Sequence, residues 1–392
     1  MLIALFTSRA LLTTSFILFL LLTCFHKDFV VQLIRFAKKP LLIGMSFLFF
    51  IPFVTWFWAE DKQMWAQFIR IKIPLFLFPL AFAGDWQLSE KQWKRVAYFF
   101  LMLLLAGCAW SLWHYALDAE AINKNYLKAK LLMTPLDNDH VRYSLLVCIG
   151  LICSVMLFRK SMLKSEKIIL ALFGAFFLVY LHVLSARTGL LAAYIFAFAG
   201  LLYLLLFSQK RKRNIFLIAG ILLLMPVAAW YFFPTFQNRI RYVTYDFSFV
   251  KNEKYLPGTS DGNRMVSYKA GWKILKENPF GVGADVGAKT NQWYDQNFPQ
   301  MNANDRILPS SEFLMYAAFA GWISLALFIL AMILPLVEKI KTEKFFWILL
   351  NVVMVFSFLF DIGLEAQFGV FIYSFVVLWW WKWLNMPGIN ST

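Results

Sequence analysis

Apolar runs dominate the chain. They recur at 10–25, 40–58, 71–84, 97–117, 141–158, 168–185, 188–207, 214–233, 310–336, 345–361 and 367–385, and a helix needs about 20 such residues to cross a bilayer. Several runs are shorter than that, so their edges are loose, and an all-α polytopic membrane protein of about 11–12 transmembrane helices is expected. One long hydrophilic passage interrupts them, from Pro234 to Pro309. Inside it the spacing predicts one helix over 262–277, capped by Asp261 or Asn263 and stopped by Asn278-Pro279. Met265, Tyr268, Trp272 and Leu275 then form an apolar stripe, and Arg264 and Tyr268 sit one turn apart on the same surface. Tethered at both ends to spans, such a helix is expected to lie against the bundle or the interface as a lid. The expected organisation is N-terminal spans over 1–233, a large loop over 234–309 and C-terminal spans over 310–392.

The connections sort by charge. Those at 26–39, 85–96, 159–167, 208–213 and 337–344 are short and basic, carrying Lys27, Arg35, Lys38 and Lys39 in the first and Lys210, Arg211, Lys212 and Arg213 in the fourth. They alternate with 59–70, 118–140, 186–187, 234–309 and 362–366. The positive-inside rule puts the first set in the cytoplasm and the second, long loop included, outside. With eleven spans the N-terminus faces outward and the C-terminus inward, and a twelfth near the N-terminus moves the first end inward. Residues 59–70 read as a short interfacial helix, and 118–140 end in Asp137-Asn138-Asp139-His140 just before a span.

Composition agrees with this pattern. The 392 residues are 61% hydrophobic and only 15% charged, whereas a soluble domain is about half apolar and a quarter charged. The net charge of +16 does not indicate nucleic acid, because its cations lie in short loops between spans. Cys24, Cys108, Cys148 and Cys153 all fall in apolar runs and imply no disulfide framework. No cleavable signal peptide is evident at the first apolar run. Four scattered histidines (His26, His114, His140 and His182) supply no metal-ligand spacing, so no metal and no cofactor is expected.

An ionisable residue at membrane depth is costly and therefore a functional candidate. Arg187 is the sharpest, in Ser185-Ala186-Arg187-Thr188-Gly189, a turn joining two spans with almost no loop. Its alternative is a snorkelling arginine at a helix end. Arg264 shares its loop with Arg239, Arg241 and Arg306, where a solvated charge is the ordinary explanation. His140 and Arg142 open a span, as interfacial anchors or as part of a polar site. Glu312 lies just inside the span after the long loop, as a candidate base or as a first-turn acid favoured by the helix dipole. Asp361 and Glu365, at the end of the penultimate hairpin, carry the same ambiguity. The glycines Gly281, Gly283 and Gly287 follow no strand and make a poor nucleotide loop.

At these residues the chain resembles a known family. Arg264 followed by Trp272-Lys273-Ile274-Leu275-Lys276-Glu277-Asn278-Pro279-Phe280-Gly281-Val282-Gly283 resembles the R…W-x-x-A…N-P-hydrophobic-G-x-G run of the O-antigen ligase family. Ser185-Ala186-Arg187-Thr188-Gly189-Leu190 is similar to its S-x-(R/S)-(T/G)-G turn. Ser310 through Gly321 has the spacing of its H-(N/S/Q)-x9-G-x-x-G motif, with Ser310 in the histidine's position and Ser324 in that of the final glycine. The family includes surface-polymer ligases, polysaccharide polymerases and protein O-oligosaccharyltransferases.

The resemblance implies a GT-C-like glycosyltransferase architecture in a bacterial inner (cytoplasmic) membrane, with its active site facing the periplasm. It implies an undecaprenyl-diphosphate-linked glycan donor and an acceptor glycolipid or glycan, with membrane lipids as the surroundings. Arg187 and Arg264 would stabilise the leaving diphosphate without a metal, and a single displacement would invert the anomeric carbon. Tyr268, His140 and Arg142 are further substrate-binding candidates. The family's ligases assign activation of the acceptor to the histidine, so Ser310 leaves Glu312 or another residue as base, or a different chemistry. The alternatives are a surface polysaccharide polymerase, a lipid-linked glycan transporter or flippase, and a pseudo-enzyme kept for assembly. Charges gathered at the outer face, rather than at the midplane, favour the transferase.

Overall fold

A computed structural model describes residues 1–128, 131–207, 212–252, 255 and 257–386. Among them all regular structure is helical. Every expected apolar run lies on a helix. Seven of these helices are long and apolar enough to cross a membrane singly, including Pro40–Phe57, His140–Lys160 and Glu312–Val337. Two bent pairs bring that number to nine when each pair counts as one span, and Lys344–Phe360 is shorter. The last run is broken by a π-helical turn over Ile372–Val376. The protein is an all-α, multi-pass membrane protein. Of the basic connection at 208–213, residues 208–211 lie outside the described residues, as does Lys130.

Two connections differ from expectation. Residues 26–39 are not a loop, since Phe29–Ala37 is a helix bent 103° from Arg9–Cys24. Its alternation of Val30, Val31, Leu33 and Ile34 with Gln32 and Arg35 suits an amphipathic helix. Residues 59–70 are not a separate interfacial helix but the first half of a longer one. The Asp61 carboxylate caps it by accepting the Met64 N–H at 2.8 Å. Lys62–Lys72 then runs on into Pro74–Phe82, because Pro74 occupies a first-turn position whose N–H is dispensable.

The chain divides into two compact units, one made of residues 3–93 with 246 onward and the other of residues 94–245. In the first, Pro40–Val54 runs antiparallel to Glu312–Val337. Gly44 abuts Leu334 near one end, and the Tyr316 hydroxyl donates to the Leu48 carbonyl at 2.6 Å near the other. Phe16, Phe78 and Phe371 interlock beside them, with ring centroids 4.6 Å and 5.3 Å apart along that series. The hydrophilic passage adds a small core of its own, with Val266, Tyr294 and Met301 buried beneath Tyr255, Trp293 and Phe298. In the second unit, His140–Lys160 packs against both Lys164–Leu184 and Arg187–Phe207.

Candidate functional site

The first unit is organised around a break in a helix. Glu312–Val337 departs from helical geometry at Ala320 and at Gly321, which has φ +71°. Into that break fits the segment after Asn278. The Val282 N–H donates to the Ala318 carbonyl at 2.7 Å, and the Trp322 N–H to the Pro279 carbonyl at 3.1 Å. Backbone approaches backbone so closely that only glycine serves. A Cβ on Gly321 would meet the Pro279 oxygen at 1.7 Å, and one on Gly281, itself at φ +81°, would meet Phe319 and Ala320 backbone atoms at 2.5 Å. Ser324 makes use of its departure from glycine. Its hydroxyl donates to the Gly321 carbonyl at 3.0 Å and also to that of Tyr316, one turn before the break.

The preceding helix, Asp261–Glu277, forms almost where expected but buries a different face. Of the expected stripe Leu275 is buried and Tyr268 half-buried, but Met265 and Trp272 are 44% and 46% exposed, and Val266, Ala270 and Ile274 are buried together with Gly262, Ser267 and Gly271. Small side chains decide this. A Cβ on Gly271 would lie 2.9 Å from Pro309 and 3.2 Å from Leu314, so this face admits the neighbouring helix most closely. Its cap also comes from elsewhere, since the Asp246 carboxylate accepts the N–H groups of Ser260, Asp261 and Gly262 at 2.8–3.1 Å. Asn263 bonds back to Thr259 instead.

This docking gives Arg264 and Tyr268 their surroundings. Arg264 is about a quarter exposed and lies 3.9 Å from Asp261. The Tyr268 hydroxyl donates to the Leu359 carbonyl at 3.2 Å. Burial pushes the Tyr268 phenol up, with the Arg264 charge opposing and Asp361 adding to the rise. On the buried face, Ser267 Oγ accepts the Ser310 N–H at 3.0 Å, and the Ser311 hydroxyl donates to the Phe358 carbonyl at 3.2 Å. Ser310 is thus held by its backbone, and among the described residues its hydroxyl reaches only the Leu308 carbonyl, at 3.3 Å.

Glu312 is completely enclosed. One carboxylate oxygen accepts the Leu364 N–H, and the other has no hydrogen-bond partner among the described residues. Beside it lies Lys72, which the sequence reading passed over. Lys72 is also fully buried and donates to Glu365 Oε1 at 2.6 Å and to the Leu364 carbonyl at 3.0 Å, with the Tyr316 ring 5.1 Å away. Lys72 and Glu312, from two helices, so clamp the 361–366 turn at Leu364 and Glu365, and Asp361, half-buried, lies within electrostatic range of both Tyr268 and Glu312. A lysine inside the apolar run 71–84 was the available signal.

The second unit holds the other candidates, His140, Arg142 and Arg187. His140 and Arg142 open their helix behind a cap by Asp139, whose carboxylate also pairs with the Arg142 guanidinium at 3.3 Å. Before them Leu136, Asp137 and Asn138 are all left-handed, at φ +66°, +54° and +63°, a conformation that costs about 1–3 kcal/mol per residue and gathers at functional positions. Arg187 follows Ser185, itself left-handed at φ +49°. The hairpin is pinned by hydroxyls from elsewhere in this unit, Thr235 to the Val183 carbonyl at 2.7 Å and Tyr126 to that of Leu184 at 2.9 Å. Gly189 then packs on the Ser144 backbone, so Arg187 is at the same end of this unit as His140 and Arg142.

Comparison with protein families matches residues 171–329 to the family described as O-Antigen ligase. That span contains Arg187, Arg264, Tyr268, Glu312 and the interlocking glycines, while His140, Arg142, Lys72, Asp361 and Glu365 lie beyond it. No curated protein matches the chain. The match over residues 171–329 supports membership of the O-antigen ligase family, whose members carry out glycan transfer of ligase or polymerase type.

Proposed function

We propose that the protein transfers a glycan from an undecaprenyl-diphosphate-linked donor to an acceptor hydroxyl, on the periplasmic face of a bacterial inner membrane. The acceptor oxygen attacks the anomeric carbon, whose bond to the diphosphate oxygen breaks with the electron pair leaving on the diphosphate. A single displacement of this kind inverts the anomeric centre. Arginine suits the leaving group because its planar fork bonds two phosphate oxygens at once. Arg264 has that role in the first unit, with Tyr268 one turn along beside it. Arg187, with His140 and Arg142 at the same end of the second unit, is assigned an anionic part of the substrate on its own account.

The observation that carries this reading is the partly exposed Arg264–Tyr268 surface, fixed by a helix whose other face is locked to 310–314. Asp361, half-buried beside Tyr268, is the better-placed group to take the acceptor proton. Glu312, completely enclosed, would act as base only after the 361–366 turn opens, and otherwise positions that turn. A transporter is the reading that the buried Lys72–Glu365 pair would favour if taken alone.

Purified protein in vesicles, given a fluorescent lipid-linked glycan and a hydroxyl acceptor, separates them. Appearance of the label on the acceptor with release of the diphosphate carrier is the expected result. Movement of intact donor between leaflets without transfer would replace this proposal by the transporter.

A further inference from the structure

The first unit has a second polar feature, at the Pro40 end of Pro40–Val54. Arg35, Lys38, Lys39 and Lys382, with Asp85, line a cavity of about 290 Å³ against Leu42. Four cations against one carboxylate leave three positive charges in excess (4 − 1 = 3). Two of the cations are held in place. The Arg35 guanidinium grips Asp85 through both terminal nitrogens, at 3.0 Å and 3.1 Å. Lys382 Nζ donates to the Gly84 carbonyl at 2.6 Å and the Phe82 carbonyl at 3.3 Å, with Trp86 beneath it at 5.0 Å. Lys38 and Lys39 are exposed at the rim, and the Pro40–Val54 helix starts there without a side-chain cap, so its positive end adds to the field.

The helix that supplies this rim explains what kind of anion fits. Phe29–Ala37 turns 103° from the span before it. It is anchored by buried Gln32, whose amide donates to the Leu80 carbonyl at 2.6 Å. Its opposite face leaves Val30, Val31, Leu33 and Ile34 exposed by 41–66%. A cationic cavity beside an uncovered apolar helix face matches a molecule with a phosphate head and acyl tails. A basic connection serving only to orient the spans needs neither the cavity nor the fixed guanidinium and ammonium groups.

We propose that this cavity binds the phosphate-bearing headgroup of an anionic membrane lipid, whose acyl chains cover the Phe29–Ala37 face. The inference stands apart from glycan transfer and uses none of its residues.

The test is thermal unfolding of the full chain in uncharged detergent, with phosphatidylglycerol, phosphatidylcholine or soluble glycerol phosphate added. Phosphatidylglycerol should raise the midpoint by about 2–4 °C, with phosphatidylcholine and glycerol phosphate leaving it within error. The double variant Lys38→Gln/Lys39→Gln, at two exposed positions, should keep the lipid-free midpoint and lose most of that rise. Lys269→Gln/Lys289→Gln, also exposed but away from the cavity, should keep it. An undiminished rise in the Lys38/Lys39 variant, or an equal rise with phosphatidylcholine, would overturn the site. An equal rise with glycerol phosphate would assign the cavity to a free phosphate and overturn the lipid.

Discussion

Lys72 and Glu365 form an ion pair shut off from solvent, Nζ to Oε1 at 2.6 Å, with side chains 0% and 5% exposed. The pair ties the middle of Lys62–Phe82 to the turn after Lys344–Phe360, and Glu312 holds the same turn from a third helix. Removing one partner of such a pair leaves a buried charge uncompensated and costs about 3–5 kcal/mol. Lys72→Met and Glu365→Gln should therefore each lower the unfolding midpoint in detergent sharply. The double variant should lose clearly less than the two single losses combined. Strict additivity would show that the pair is not coupled in the folded protein.

The glycine interlock makes a second prediction. Gly321→Ala places a methyl group 1.7 Å from the Pro279 oxygen at a left-handed φ, so backbone must move apart and the Val282 and Trp322 hydrogen bonds go with it. Loss of folded protein, or a fall in stability above about 4 kcal/mol, is expected. Gly200→Ala is the control, for its Cβ meets nothing within 4 Å inside Arg187–Phe207. That change should be neutral or stabilise by up to about 1 kcal/mol. Equal behaviour of the two variants in detergent unfolding would remove the interlock from the account.

Much of this architecture was legible in advance because membrane spans announce themselves by composition, and every apolar run became a helix. What misled was local competition between faces. Met265, Tyr268 and Trp272 are the larger apolar side chains of 261–277, yet close helix packing selected the small face of Ser267, Ala270 and Gly271. Met265 and Trp272 stay exposed although they are larger, so hydrophobicity alone does not identify the buried side of this helix. The cap of the same helix was illegible for another reason, since Asp246 reaches it from fifteen residues upstream of Asp261. Of the candidate site, Arg264, Tyr268 and Glu312 were singled out from sequence, whereas Lys72 drew no notice, although its place in an apolar run was signal enough. Pairing of Lys72 with Glu365 across 293 positions could not be read from either neighbourhood.

Orientation is tested by labelling. In a cysteine-free background, Lys289→Cys and Lys164→Cys lie at exposed positions. An impermeant thiol reagent added to intact cells should label the first and spare the second until the membrane is opened, as the basic connections require. The reverse pattern would invert the topology and move the transfer reaction to the cytoplasmic face.

For the arginines the expected signature is kinetic. Arg264→Ala should cut kcat by about 100-fold or more, as loss of one charge stabiliser at a leaving group does. Arg264→Lys should recover only part of it, having lost the fork that spans two oxygens. Among the described residues Arg264 forms only a 3.9 Å ion pair, with Asp261, so the unfolding midpoint should stay near wild type. Arg187→Ala, tested in the same assay, should likewise abolish transfer while the protein still inserts. Transfer at the wild-type rate in either variant would remove that arginine from the site.

The proton acceptor is decided by comparing three positions. Ser310 is secured by its backbone N–H on Ser267, and its hydroxyl makes only a 3.3 Å bond to Leu308. Ser310→Ala should therefore leave transfer nearly unchanged. Glu312→Gln preserves an oxygen to accept the Leu364 N–H, so the turn keeps its anchor and kcat should fall by no more than about tenfold. Glu312→Ala removes the anchor and should lower stability and transfer together. Asp361→Asn should be the severe change, lowering kcat by the roughly 100- to 10,000-fold typical of a lost general base. Donor KM should stay put, and the acid limb of the pH–kcat profile should disappear. If instead Glu312→Gln flattens that limb while Asp361→Asn keeps it, the enclosed carboxylate is the base. The 361–366 turn must then open for each acceptor, and the Lys72–Glu365 pair becomes the latch that governs it.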